Sequence, residues 1–303
     1  MENTDAVLIE KIENLKKIKN AVILAHNCQL GAVQDIADFV GDSLEVSLKA
    51  AEVDADVVVI CGVQFIAETA HILRPDKTIL IPELNAGCSM VGMITAEHLR
   101  EKKKQHPGAT VVCYIKSPAE VKAESDICCT ASNAVSIVGK LTAEEIIFVP
   151  DQYLGDYVCT QTGRDMVLWP AYCPSAVKVT PEDIAKLKEK HPQAKLAVHL
   201  ECTPQVRVIA DVVSSTAGII RFAHETDARE IIIGTETGLL HLLAKENPDK
   251  LFLPANERSI CAKMKLITPE TILWSLENMT HQVTVPDDIR LKAKRAIDKM
   301  FQG

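Results

Sequence analysis

The sequence of 303 residues contains no C-x-x-C, no G-x-G-x-x-G and no G-x-x-x-x-G-K-[ST]. The first absence excludes zinc-ribbon and ferredoxin-type spacings, and the other two remove the common nucleotide-binding loops. No apolar run is long enough to span a bilayer, so no membrane partner is expected. The first twenty residues are charged, with Val7, Leu8, Ile12, Leu15 and Ile18 at amphipathic spacing, and lack the apolar h-region of a signal peptide. Nor is there a Lys/Arg cluster interleaved with stacking aromatics; the longest basic run, Lys102–Lys104, follows Glu101 and fits a solvated helix face. With 33 basic and 41 acidic residues the net charge is −8, which disfavours nucleic acid as a partner. A cytoplasmic protein is expected.

What is present is a large apolar fraction, 47% of residues, with ten cysteines. In a reducing compartment those cysteines are buried small hydrophobes, metal ligands or a nucleophile rather than disulfides. The chain also repeats. Ala21–His26, Thr110–Ile115 and Lys195–Leu200 read as buried parallel strands ending in polar residues, starting 89 and 85 residues apart. Each is followed by a helical stretch and a second strand (Ala55–Cys61, Ser125–Thr130, Ala210–Ser214), then a third (Thr78–Ile81, Glu145–Val149, Glu230–Ile233). The last unit adds Leu251–Leu253. Apolar runs alternating with helical segments predict an α/β fold of three pseudo-symmetric αβα units with parallel sheets around a central site. The expected units are 1–95 with the N-terminal helix, 96–180, and 181–303 with C-terminal helices.

Each unit carries one cysteine beyond its later strands, Cys88, Cys173 and Cys261, at separations of 85 and 88 residues. Three thiolates on a pseudo-threefold axis suit a cluster with one open iron or a three-ligand zinc; the same spacing fits inherited core residues. The local sequences favour a ligand role. Asn85-Ala-Gly-Cys-Ser-Met, Pro170-Ala-Tyr-Cys-Pro and Glu257-Arg-Ser-Ile-Cys-Ala-Lys-Met-Lys are polar and turn-forming, unlike the apolar runs around Cys61, Cys113, Cys128 and Cys129. The first strands end in His26, Tyr114 and His199, where parallel sheets place chemistry, and Glu201 follows His199 at i+2 as an acid–base partner. Gly41-Asp-Ser43, Thr130-Ala-Ser-Asn133 and Ser214-Ser-Thr-Ala-Gly218 precede helices, and together point to a small anionic substrate.

Ala25-His-Asn, Val33-Gln-Asp-Ile-Ala-Asp-Phe-Val-Gly-Asp-Ser43, Pro150-Asp-Gln-Tyr-Leu-Gly155, His199-x-Glu-Cys, Gly234-Thr-Glu236 and Cys261-x-x-Met-Lys265 resemble the quinolinate synthase family over nearly the whole chain. The resemblance implies three α/β domains around a [4Fe–4S] cluster bound by Cys88, Cys173 and Cys261. It further implies condensation of iminoaspartate with dihydroxyacetone phosphate to quinolinate, an NAD precursor, with an aspartate-oxidising enzyme supplying the imine. The implied catalytic residues are His199, Glu201, Tyr114 and His26. The implied substrate-binding residues are His26, Ser43, Tyr114, Lys116, Ser132, His199, Glu201 and Thr216. The chain departs from the family pattern at Cys28 (usually Tyr), Lys116 (usually Asn) and Ala131 (usually Ser), near Ala176, and at Lys263 (usually Asn). A relative that keeps the cluster but takes another substrate, or handles sulfur at Cys28, is therefore the alternative reading.

Overall fold

The structure, a computed structural model, describes residues 2–302, with side chains from residue 6 onward. Met1 and Gly303, the ends of the first and third expected units, lie outside the described residues. One pattern of four helices and four strands runs three times along the chain. The first pass is α1 (Glu2–Lys19), β1 (Ala21–His26), α2 (Gly31–Ile36), β2 (Phe39–Gly41), α3 (Ser43–Glu52), β3 (Val57–Cys61), α4 (Gln64–Leu73) and β4 (Thr78–Leu80). The second is α5 (Ala96–Gln105), β5 (Thr110–Tyr114), α6 (Ala119–Ala123), β6 (Ile127–Cys129), α7 (Ala134–Lys140), β7 (Ile146–Val149), α8 (Gln152–Thr162) and β8 (Val167–Leu168). The third is α9 (Pro181–Lys190), β9 (Lys195–His199), α10 (Pro204–Arg207), β10 (Val212–Ser214), α11 (Thr216–Glu225), β11 (Glu230–Gly234), α12 (Leu239–Glu246) and β12 (Leu251–Pro254). Helices α13 (Pro269–Asn278) and α14 (Asp287–Lys299) follow.

Each pass builds one four-stranded parallel sheet, in the orders β2-β1-β3-β4, β6-β5-β7-β8 and β10-β9-β11-β12. The α/β class with three parallel sheets is as the sequence predicts. The repeat register differs from the predicted one in the first pass. Its second strand is Phe39–Gly41, so Val57–Cys61 is the third and Thr78–Leu80 the fourth; Val167–Leu168 is likewise a fourth strand in the second pass. Strands of two or three half-buried residues carry no long apolar run to reveal them.

The same small devices hold each sheet. Asp38, Asp126 and Asp211 each stand just before the edge strand beside the first one, and each carboxylate accepts the backbone N–H of Ile23, Val111 or Leu196 at 2.8 Å. The backbone N–H of each aspartate donates back to the carbonyl of the same residue. A central strand such as Val57–Cys61 is buried at every position, as expected where helices cover both faces.

The chain forms two compact units: 1–88 with 262–294, and 89–261 with 295–303. In the first, α13 packs against α1, α2 and β3. Ile12 of α1 is fully buried, whereas Val7 and Ile18 face solvent, so the apolar stripe is narrower than the spacing predicts. The segment after α13 runs along the sheet edge, where the His281 carbonyl accepts from Ile81 N–H and the Ile79 carbonyl from Val283 N–H, both at 2.9 Å. The second unit contains the other two sheets. Among the described residues no helix is long and apolar enough to cross a membrane.

Candidate functional site

In the second unit, the ends of β5 and β9 meet. Tyr114, the last residue of β5, donates its hydroxyl to Glu201 Oε1 at 2.8 Å, and Lys116 Nζ donates to the same oxygen at 2.7 Å. Lys116 Nζ also lies 5.4 Å from the Tyr114 ring centroid. His199, the last residue of β9, accepts the Glu201 backbone N–H on Nδ1 at 3.2 Å, with that nitrogen 3.7 Å from Glu201 Oε2. Tyr114, His199 and Glu201 are all buried. Four of the eight expected substrate-binding residues therefore form one hydrogen-bonded group.

The charges within it follow from geometry. Burial alone would raise the Glu201 carboxyl, but the Lys116 and His199 charges and the bonds from Lys116 and Tyr114 hold it at about 2. Burial opposes the Lys116 charge as well; Glu201, then Tyr114 and Cys173, keep the ammonium well above its usual range. Burial first and the Glu201 charge second push the Tyr114 phenol well above its usual range, so it remains an O–H donor. The result is a desolvated ion pair with a cation at its open side: the Lys116 side chain is 22% exposed against 4% for Glu201.

Two of the cysteine loops are sewn together in this unit. Ser259, two residues before Cys261, donates its hydroxyl to the carbonyl of Ser175, two residues after Cys173, at 3.0 Å. Lys178 Nζ donates to the Arg258 carbonyl at 2.9 Å, and Asn256 Nδ2 to the Lys178 carbonyl at 2.8 Å. The Cys261 backbone N–H is held by Glu236 Oε1 at 3.0 Å. Tyr153 and Tyr172 meet edge to face, with centroids 6.5 Å apart.

Each cysteine follows the fourth strand of its pass, and each loop then repeats residue by residue. A 3₁₀ turn begins three residues after the cysteine, at Val91, Ala176 and Met264. Seven residues after it stands a threonine, Thr95, Thr180 or Thr268, that caps a ten-residue helix. The periodic C-x6-T was readable from the sequence and went unused. None of the ten cysteines is in a disulfide; Cys88, Cys173 and Cys261 are half-buried, while Cys61, Cys113, Cys128 and Cys129 are buried. Among the described residues no three His, Cys, Asp or Glu side chains gather as a single ion requires. A cubane offers a different iron to each thiolate, so its ligands stand apart.

The first unit carries His26, Ser43 and Cys88. His26 ends β1 and accepts the Cys28 backbone N–H on Nδ1 at 3.0 Å, the same local device as in His199. Cys28 is buried, and its carbonyl accepts from Lys265 Nζ, while Gln29 Nε2 donates to the Met264 carbonyl at 2.9 Å. Ser43 is the first residue of α3, after an Asp42–Glu45 capping box, and its buried Oγ has no hydrogen-bond partner. Ser132 and Thr216 sit at other helix starts. Ser132 is exposed with its hydroxyl 2.8 Å from Thr130 Oγ1, whereas Thr216 is buried beside Ser215, whose hydroxyl accepts the Gly218 N–H.

Asp151 went unassigned from sequence. It lies just beyond β7, fully buried, with Oδ1 accepting the N–H groups of Tyr153 at 2.9 Å and Leu154 at 2.8 Å. Its place in Pro150-Asp-Gln-Tyr, directly after an apolar strand, was the available signal.

The model of the family described as quinolinate synthetase A protein matches residues 10–302. The quinolinate synthase of Dehalococcoides mccartyi strain CBDB1 is 53% identical over 296 residues, 98% of both chains. That of Methanosarcina barkeri strain Fusaro is 50% identical over 98% of this chain and 97% of its own. That of Thermodesulfovibrio yellowstonii is 49% identical over 97% of each. With matches running from end to end, through the strand ends and all three cysteine loops, the chain belongs to the quinolinate synthetase A family of enzymes.

Proposed function

We propose that the protein is a cytoplasmic quinolinate synthase. It condenses iminoaspartate with dihydroxyacetone phosphate, releases phosphate and water, and uses a [4Fe–4S] cluster held by Cys88, Cys173 and Cys261. The observation that carries this reading is the hydrogen-bonded Tyr114–Lys116–Glu201–His199 group, in the unit where the Cys173 and Cys261 loops are hydrogen-bonded together. The donor set suits such a cluster: three thiols in equivalent polar turns, none oxidised to a disulfide. When bound, the cluster would supply an open iron acting as a Lewis acid toward a substrate oxygen or nitrogen.

The chain's own residues supply charge, orientation and protons. Lys116 offers a partly exposed ammonium to a substrate carboxylate or phosphate. When it turns toward that anion, Glu201 loses its counter-charge and becomes a stronger base. His199, with Nδ1 occupied by the Glu201 N–H, presents its protonated Nε2 as a donor. Tyr114 remains a neutral donor beside them. His26, with the same tautomer, assists, and the Ser43, Ser132 and Thr216 hydroxyls hold anionic groups near helix starts. Because imines hydrolyse readily in water, an aspartate-oxidising enzyme is the expected source of the substrate.

The test is anaerobic: purify the protein, quantify iron and sulfide, and assay quinolinate from the two substrates. A cluster with turnover establishes the reading. A cluster without turnover favours the second reading, a relative acting on another substrate, which rests on the Lys116–Glu201 ion pair standing where the family has an amide.

A further inference from the structure

The carboxyl of Asp151 is more than a helix cap. Strand register places Val149 opposite Cys113, as it places Cys61 opposite Ala25 and Gly234 opposite Val198. Two residues beyond those strand positions stand Asp151, Val63 and Glu236. Apolar in one repeat, the site needs no acid for folding. Capping explains only half of Asp151, because Oδ1 takes both N–H groups at the start of α8 while Oδ2 is buried without a hydrogen-bond partner. An ionised carboxylate with a bare, desolvated oxygen is costly. An asparagine would cap equally well.

The charged groups facing it explain how the acid is kept. The Glu201 and Lys116 charges act on Asp151, the Asp151 and Arg207 charges act in turn on the Cys202 thiol, and Arg207 donates to the Tyr153 carbonyl at 2.7 Å at the start of α8. Lys116 is already committed to Glu201, so one cation serves two carboxyls and only one of them ionises readily. Burial first, and the Glu201 charge second, push Asp151 up to about 8, while Glu201 stays at about 2. Two carboxyls driven apart in this way are the pattern of an acid and a base.

We propose that Asp151 is a further catalytic residue of this site, its Oδ2 hydroxyl donating to the substrate hydroxyl that leaves as water. The inference rests on the dehydration in the proposed function. In that step the C–H electron pair becomes the new C=C bond and its proton passes to the Glu201 carboxylate, the base left uncovered when Lys116 turns to the substrate anion. The C–O bond breaks with its electron pair on oxygen, and the Asp151 proton completes the departing water. The Glu201 carboxyl then returns that proton to Asp151, so both groups end as they began.

Asp151→Asn keeps the cap and removes the acid. Loss of a general acid is expected to lower kcat by roughly 10²–10⁴-fold, with iron content and melting temperature retained. The wild-type fall in kcat as pH rises through about 8 should vanish in the variant. A wild-type rate and an unchanged alkaline limb in Asp151→Asn would overturn the proposal. Should that variant lose iron or melt early, Asp151→Ser, which keeps a capping hydroxyl, takes its place under the same criteria. Infrared difference spectra of the substrate-free protein decide the matter apart from turnover. A protonated-carboxyl band at pH 7 that titrates near 8 and is absent from the variant supports the proposal; its absence from the wild type defeats it. If the wild type makes no quinolinate but shows that band, the reaction assignment fails while the placement of a buried acid survives.

Discussion

Asp151 and Glu236 occupy the same position in two successive repeats, both are buried, and they are used differently. Glu236 spends Oε1 on the Cys261 N–H and Oε2 on the Gly238 N–H, so both oxygens hold the loop that carries a cysteine. Asp151 spends one oxygen on a helix start and leaves the other bare. A duplicated scaffold thus supplies a carboxyl at one fixed place, and the donors nearby decide whether it becomes scaffold or chemistry. Glu236 has a backbone N–H on each oxygen; partial satisfaction beside an existing carboxylate makes Asp151 hold a proton.

The largest effects should come from the cysteines on which both loops bear. Cys88→Ala, Cys173→Ala or Cys261→Ala is expected to abolish the cluster, read as iron and sulfide per chain; full iron in all three would end the ligand assignment. Glu201→Gln removes the acceptor shared by Tyr114 and Lys116, and a loss of about 10²-fold or more in kcat/KM is expected. Glu236→Ala leaves the Cys261 N–H without its acceptor, at a cost of about 1–3 kcal/mol, and iron retention should fall with the melting temperature.

The two carboxyls also differ in how stability depends on pH. The folded pKa of Asp151, about 8, is above its unfolded value, so it stabilises the fold less as pH rises from about 4 through 8. Asp151→Asn should therefore gain stability relative to the wild type at pH 9 compared with pH 5, as followed by thermal melting. Glu201 is the reverse: its depressed pKa gives stability that is present above about pH 4.5 and lost as pH falls toward 2. The smallest effect is on the scaffold itself. Asp126→Ala breaks one of the three repeated carboxylate clasps and should cost about 1 kcal/mol, a few degrees in melting temperature, with activity kept. Lys116→Asn restores the family's residue, and synthesis of quinolinate should be kept or raised; its abolition would make the lysine integral to this enzyme.

Much of this was written in the chain order. The long central strands, the polar residues at their ends and one cysteine per repeat follow from apolar runs, spacing and turn chemistry, because those signals are local or periodic. The short strands β2 and β8 were not legible, since two or three half-buried residues become a strand only when a neighbouring strand offers its hydrogen bonds. The same limit applied to the site. Sequence could name Tyr114, His199 and Glu201 at strand ends, and Lys116 as a departure from the family pattern, but their shared oxygen brings together groups 85 and 87 positions apart. Asp151 and Glu236 stood unassigned within two motifs; only the packed protein, by fixing which donors reach each oxygen and how much water is excluded, made Glu236 a clamp and Asp151 a buried acid.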